Sequence, residues 1–281
     1  TCEELTNGLP SGNISLIGIG LCESQPDIMY GHYSDHNKKW IDLFKTTDGG
    51  DHWVPTNSDI EGNYWRGKVH VDPTNPDIVW STGVYMWYSN DGAQSWKTIS
   101  GQDFWVDQHA VYVHPQNNQF VVIGNDGGVY VSYNGSTTNL KVMTLPITQF
   151  YTCEVNPHDV NDIMGGTQDR GTQRSETGNP MEWESIYGGD GFVVRVDPSD
   201  PKYMYAASQR GGFGRSTNGG QRFSGANPNR NDRYNWKTPY VLDPNNSRIV
   251  YLGSHRVYRS TNRAVTWSRI SDDLTNGDQP P

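Results

Sequence analysis

The sequence predicts an all-β fold of four-stranded antiparallel sheets, the blades of a β-propeller. Three observations predict it: a hairpin motif repeated at a near-constant interval, a second turn phrase repeated at the same interval, and a composition rich in turn formers and aromatics. The 281 residues include 31 Gly, 16 Pro, 16 Tyr and 10 Trp but are only 33% hydrophobic. That balance suits short strands and tight turns packed by rings, not Leu-rich helices.

The motif has the form Ser/Thr-x-Asp-x-Gly-x-x-Trp. It reads Thr46-Thr-Asp48-Gly-Gly50-Asp-His-Trp53, then Ser89-Asn-Asp91-Gly-Ala93-Gln-Ser-Trp96. Ser216-Thr-Asn218-Gly-Gly220-Gln-Arg-Phe223 and Ser260-Thr-Asn262-Arg-Ala264-Val-Thr-Trp267 follow, with a worn copy from Ser132 through Asn134 and a barely recognisable one around Ser175 and Trp183. Starts at 46, 89, 132, about 175, 216 and 260 give intervals of 41 to 44, the length of one four-stranded blade.

A strand ending in an x-Pro turn supplies the second ruler. It recurs at Pro73, Pro115, Pro157, Pro198 and Pro244, with Glu23 in the equivalent place of the first repeat. Both rulers count six blades. Each blade reads as an inner strand (Ala110 to His114, Val193 to Asp197), a Pro/Asn turn, a second strand (Phe120 to Ile123), a third (Val129 to Ser132), the motif hairpin and a fourth strand after the Trp. The motif Asp or Asn accepts backbone N–H bonds from its own turn, Gly supplies positive φ, and Trp packs between sheets, so the motif is read as structural. One propeller domain is expected over 1–281, with 1–10 as the fourth strand of a preceding blade and six repeats from about residue 11. The chain is then expected to be a fragment of a larger seven-bladed or double propeller.

At these residues the chain resembles the Asp-box, or bacterial neuraminidase repeat, superfamily, which includes sialidases, xyloglucanases and sortilin-type domains. It is more closely similar to large secreted bacterial propeller proteins labelled sortilin-like or glycosyl-hydrolase-like. Asp107-Gln-His109-Ala-Val-Tyr-Val-His-Pro115, Gly124-Asn-Asp-Gly-Gly-Val-Tyr-Val-Ser132, Gly165-Gly-Thr-Gln-Asp-Arg170, Gly188-Gly-Asp-Gly191 and Tyr234-Asn-Trp-Lys-Thr-Pro239 carry that likeness. It implies a bacterial protein that is secreted, extracellular or on the cell surface.

A formal charge of −9 disfavours nucleic acid and anionic membrane surfaces as partners. No apolar run approaches the roughly 20 residues of a membrane span, and no insertion is expected. Cys2, Cys22 and Cys153 lack CxxC spacing, which disfavours zinc; a Cys2–Cys22 disulfide and three free thiols are both open readings.

In a propeller the starts of the inner strands and the ends of the second strands converge on one funnel. Before the inner strands lie Trp65, Arg66, Asp107, His109, Gln149, Tyr151, Asp190, Asn235 and Trp236. After the second strands lie Tyr85, Asn125, Asp126, Gln168, Asp169, Gln209, Arg210 and His255. The sequence thus predicts a binding or scaffold module that grips glycan or protein, or a neighbouring segment of a longer parent, through Trp65, Arg66, His109, Asp126, Tyr151, Asp169, Trp236 and His255. Several of these Asp and Asn residues flank Gly and are equally ordinary turn formers. Asp107 and His109, two apart at a strand start, are expected to face the same side.

The alternative is a glycoside hydrolase, with Asp107 and Asp190 as paired carboxylates and Asp126 and Asp169 as spares; burial of Asp107 or Asp190 in turn hydrogen bonds would remove that reading. Sialidase chemistry fits less well, since only Arg66 and Arg210 could serve a substrate carboxylate, and a His109–Tyr151 lyase pair has no motif behind it. No cofactor or catalytic metal is expected, although the oxygen-rich acids would suit a structural calcium. Trp40, Trp87 and Tyr88, outside the motif, would mark a protein contact if exposed and core if packed.

Overall fold

The computed structural model describes residues 5–37, 39–58, 60, 67–99, 104–145, 147–275 and 277. Trp65 and Arg66, the funnel positions before the first strand of the second blade, and Cys2, and with it the Cys2–Cys22 pairing, lie outside these residues. The described chain is all-β: six four-stranded antiparallel sheets, each a simple up-and-down meander. The first comprises β1 (Ile14–Cys22), β2 (Gln25–Asp35), β3 (Trp40–Thr46) and β4 (Val54–Pro55). The second comprises β5 (Lys68–Val71), β6 (Val79–Thr82), β7 (Met86–Ser89) and β8 (Lys97–Ile99); the third, β9 (Gln108–His114), β10 (Asn117–Asn125), β11 (Gly128–Ser132) and β12 (Leu140–Lys141). The fourth has β13 (Phe150–Asn156), β14 (Asp159–Thr167), β15 (Gly171–Ser175) and β16 (Glu184–Tyr187). The fifth has β17 (Val194–Val196), β18 (Met204–Ala207), β19 (Phe213–Ser216) and β20 (Phe223–Gly225), and the sixth β21 (Tyr240–Leu242), β22 (Val250–Gly253), β23 (Val257–Ser260) and β24 (Ser268–Arg269). This is the blade architecture expected from the repeat. Among the described residues no helix is long and apolar enough to cross a membrane.

The chain forms two compact units, Thr1–Met143 with the first three sheets and Thr144–Pro281 with the last three. Within each unit the core lies between successive sheets. Tyr30 and Leu43 meet Val69 and Val79, Trp80 and Met86 meet Val113, Val121 and Tyr130, and Tyr205 and Phe213 meet Tyr240, Val250 and Leu252. The second strands β6 and β18 have both faces covered and are buried at every residue, as expected of a strand sandwiched by neighbours. First strands keep one open face, and β1 alternates half-buried and exposed residues along its length.

The recurring hairpin is one hydrogen-bonded device. In five copies the leading hydroxyl donates to the Asp or Asn two residues on and accepts the N–H four residues on. For Thr46 these bonds are 2.6 Å to Asp48 Oδ1 and 3.1 Å from Gly50 N; for Ser89, 2.8 Å to Asp91 and 2.9 Å from Ala93. Ser132, Ser216 and Ser260 repeat both bonds. The Asp or Asn in turn accepts an N–H four residues on, from His52, Ser95, Thr138, Arg222 or Thr266. Hydrogen bonds from Ser95 hold the Asp91 carboxyl down at about 2. In each copy two consecutive residues take positive φ, from Gly49–Gly50 at 76° and 104° to Arg263–Ala264 at 59° each. The fourth copy has decayed: Ser175 Oγ donates to the Asn179 carbonyl instead.

Trp53 Nε1 donates to the Gly50 carbonyl of its own turn, while in two other copies the motif Trp binds sheet to sheet. Trp96 Nε1 donates to Ser58 Oγ at 2.9 Å and Trp267 Nε1 to the Ala226 carbonyl at 2.8 Å, each partner following the preceding sheet. Trp40 packs on the first core cluster and donates to the Ser58 carbonyl, while Tyr88 stands edge-on to Trp80 at 5.5 Å. These two rings are packed between sheets. No strand occurs over residues 5–10; Asn7 O accepts the Trp53 N–H, and Leu9 packs on the Tyr33–Phe44–Trp53 cluster.

The device predicts opposite outcomes for two serines. Ser89→Ala strands the Ala93 N–H and one Asp91 acceptor, costing about 1–3 kcal/mol in chemical denaturation. Ser136 is a side-chain-bearing residue at φ 66° whose buried hydroxyl has no partner. Ser136→Gly should stabilise by about 1 kcal/mol, because relief of the left-handed strain exceeds the entropy cost of Gly.

Candidate functional site

In the first unit, Asp107, His109 and Asp126 come together where β9 begins. Asp107 departs from the expected geometry: it precedes the strand and has φ 59°, so strand alternation does not place its side chain beside that of His109. Its N–H donates to the Val84 carbonyl, and its carbonyl accepts the Asp126 N–H. His109 is the extra residue of a bulge, since Gln108 pairs with Asn125 and Ala110 with Gly124. The bulge turns the imidazole toward the β10–β11 turn, and Nε2 hydrogen-bonds Asp126 Oδ1. Asn125 is spent on its own loop, donating to the Trp105 carbonyl and accepting from Gly127 N.

In the second unit a larger face forms where β13 and β17 begin and β14 and β18 end. Tyr151 and Trp236 are each 40% exposed. Between them stands the buried Phe192 ring, 4.9 Å from Tyr151 and 6.1 Å from Trp236 between centroids. Tyr151 Oη donates to Gln168 Oε1. The Arg210 guanidinium lies 5.7 Å from the Trp236 ring centroid, and the Arg210 backbone N–H donates to the Trp236 carbonyl. Asp169 and Arg210 both have positive φ, at 63° and 52°. Left-handed non-Gly residues cost roughly 1–2 kcal/mol each and gather at functional sites.

Asp190 sits behind this face. Expected as half of a catalytic pair, it is 8% exposed; Oδ1 accepts the Asp169 N–H at 2.8 Å, and its own N–H donates to Gln209 Oε1 at 2.8 Å. The residue ties the loop after β14 to the loop after β18. The neighbouring glycines have steric reasons: Gly189 has φ 84°, and a Cβ on Gly191 would stand 2.3 Å from the Gly171 carbonyl oxygen. The Gly188-Gly-Asp-Gly191 phrase therefore reads as a close backbone approach between the fourth and fifth sheets.

His255 is not brought to the open face. It is 8% exposed; its N–H donates to the Arg233 carbonyl and its Nδ1 accepts the Arg233 N–H at 3.2 Å. It borders a second network centred on Asp232, which accepts from Ser254, Tyr258 and Asn229 at 2.7 Å each. Burial pushes the Asp232 carboxyl up, but hydrogen bonds from Ser254 and Tyr258 and the charges of His255 and Arg256 outweigh it and leave the group below the usual range. This network anchors the loop before β21.

The arrangement thus joins Tyr151 and Trp236 through Phe192, with Gln168 and Arg210 beside them and Asp169 next along the loop after β14, joins His109 with Asp126 in the first unit, and leaves His255 apart. Phe192, the buried link between the two open rings, was not anticipated; its place directly after Gly191 was the available signal.

The role given to Asp190 is testable. Asp190→Ala should lose about 1–3 kcal/mol in urea unfolding, because the Asp169 N–H loses its acceptor, while Asp190→Asn, which keeps an acceptor oxygen, should lose less. Wild-type stability in the Ala variant would return Asp190 to the list of functional carboxylates.

No protein-family model and no curated protein sequence matches the chain. Solved structures resemble it at a distance. A Niastella koreensis GH74 enzyme is 12% identical over 92% of this chain and 59% of its own, with a TM-score of 0.39. YCF48 bound to a D1 peptide is 14% identical over 96% and 88%, TM-score 0.36. PorZ, a surface component of the type-IX secretion system of Porphyromonas gingivalis, is 12% identical over 95% and 37%, TM-score 0.46. The chain spans less than two thirds of the GH74 enzyme and of PorZ, and these likenesses concern the fold alone.

Proposed function

We propose that this chain is an extracellular or cell-surface binding module of Asp-box type, and that the Tyr151–Phe192–Trp236 face of its second unit grips a carbohydrate. The supporting observation is the pairing of two half-open rings on a buried third one, with Arg210 beside the outer ring. Tyr and Trp present large apolar area at low entropic cost, and rings flanked by hydrogen-bonding groups suit the alternating C–H and O–H faces of a sugar. Gln168, Asp169 and Arg210 would supply the polar contacts. The five hydrogen-bonded hairpins support the Asp-box reading, since in each the motif residues are consumed in the turn.

Binding is favoured over glycoside hydrolysis by the position of Asp190. A hydrolase needs a second carboxylate open to the glycosidic bond, whereas Asp190 is buried and accepts a backbone N–H.

A glycan array should give saturable binding to at least one neutral or acidic oligosaccharide. Trp236→Ala should weaken that binding about tenfold or more, equivalent to roughly 1.4 kcal/mol, at unchanged melting temperature. Wild-type affinity in Trp236→Ala would defeat the proposal for this face, and release of reducing ends from any polysaccharide would restore the hydrolase reading.

A further inference from the structure

One device recurs between successive sheets. The cationic residue just before the motif hydroxyl, on the third strand, reaches toward the next sheet. Lys45 pairs with Asp77 at 3.7 Å, Arg174 donates to the Gly219 carbonyl at 2.8 Å, and Arg215 donates to the Arg263 carbonyl at 3.0 Å. The first two cations are neutralised: Lys45 by Asp77, and Arg174 by Asp162 at 2.7 Å and Glu176 at 2.9 Å. Among the described residues, Arg215 pairs with no carboxylate.

Register shows why. Ser175 pairs with Ile163, so Asp162 is the residue before the partner of the motif serine. In the fifth sheet Ser216 pairs with Met204, and the residue before Met204 is Tyr203. Where the fourth sheet has an Asp, the fifth has a Tyr. The position after the motif Asp or Asn changes in the same direction. It is glycine at Gly49, Gly92, Gly135 and Gly219, all at positive φ, but in the sixth sheet it is Arg263, at φ 59°. A side chain stands here although the backbone disfavours one.

A third change completes the set. The carbonyl that accepts the N–H of this position belongs to Asp77 in the second sheet, Lys202 in the fifth and Arg248 in the sixth. The three substitutions meet in one open cleft of about 190 Å³, lined by Tyr203, Arg215, Thr217, Arg248, Asn262, Arg263 and Val265. Among the described residues no carboxylate lines it. Arg263 lies over the Tyr203 ring at 4.2 Å and donates Nε to Asp197 Oδ2 at 2.8 Å, but Asp197 is fully buried beneath the cleft. Of the three guanidiniums only that of Arg263 has a carboxylate partner among the described residues, and the Arg248 side chain is exposed. The charge collects here in a protein that is −9 overall.

We infer that this cleft between the fifth and sixth sheets is an oxyanion site, taking a sulfate, phosphate or carboxylate group. Guanidinium forks match such groups with paired N–H donors, and a bound anion relieves the mutual repulsion of the three cations. Thr217 lines the same cleft with a hydroxyl, a neutral donor, whereas the Asn262 amide already donates to Thr266 Oγ1 at 2.8 Å. The cavity has more than ten times the roughly 10–15 Å³ that a single water requires.

Calorimetric titration of the whole chain with sodium sulfate, sodium phosphate and sodium acetate, against sodium chloride at equal ionic strength, tests it. Saturable binding is expected for at least one oxyanion and none for chloride. Arg248→Ala, a change at an exposed side chain, should weaken the binding about tenfold or more, and Arg248→Lys should recover part of the loss. Competition by dextran sulfate but not by dextran would assign the site to a polymer-borne group, and failure of both to compete would assign it to the free ion. Equal affinity in wild type and Arg248→Ala, or oxyanion heats indistinguishable from chloride, would overturn the inference.

Discussion

A buried hydroxyl that both donates and accepts is the interaction on which the rest of this structure depends. Thr46, Ser89, Ser132, Ser216 and Ser260 are each at most 1% exposed, and each closes a turn of two left-handed residues by accepting the N–H four positions on. An unclosed turn there would leave a buried donor unsatisfied and would misdirect the fourth strand. The aromatic that follows is aimed by the same turn and fastens one sheet to the preceding one through Trp96 and Trp267.

With stability concentrated in the hairpins, the opposite ends of the sheets are free to vary. The loops around Asp107, Asp169 and Arg210 carry side chains at positive φ where glycine would be unstrained. The two open rings of the second unit are carried by a fully packed neighbour, Phe192, and by a backbone stapled through Asp190. A rigid scaffold that presents aromatic and polar groups on tied loops is the arrangement a binding surface needs. The arginine cleft follows the same logic on the hairpin side: three repeat positions depart from the residues that serve structure elsewhere, and the departures coincide in space.

Much of the fold was legible because the repeat is a matter of local chemistry. Hydroxyl, Asp or Asn, small residue and aromatic at fixed spacing specify one turn, and the interval between turns specifies four strands. The decayed fourth copy, with Ser175 bonded to Asn179 O, still sits in a complete sheet because its core neighbours Met164, Val194 and Met204 hold it. The site was legible only in outline. Counting to the start of an inner strand picked out Tyr151 and Trp236, and counting past a second strand picked out Asp169, but strand alternation misplaced Asp107, whose left-handed backbone no periodicity reveals. Asp190 and His255 look alike in sequence to open polar residues; their burial follows from which loop lies over them. The charge imbalance at Arg215, Arg248 and Arg263 required strand register, since the positions are distant in sequence and only pairing shows that Tyr203, Arg248 and Arg263 stand where other sheets carry Asp162, Asp77 and Gly.

Amide hydrogen exchange followed by NMR tests the central interaction most directly. The amides of Gly50, Ala93, Ser136, Gly220 and Ala264 should exchange as slowly as those of the adjoining strands, because each is bonded to a buried hydroxyl, whereas the turn after Ser175 should exchange faster. Exchange of all six turns at one common, loop-like rate would contradict the account.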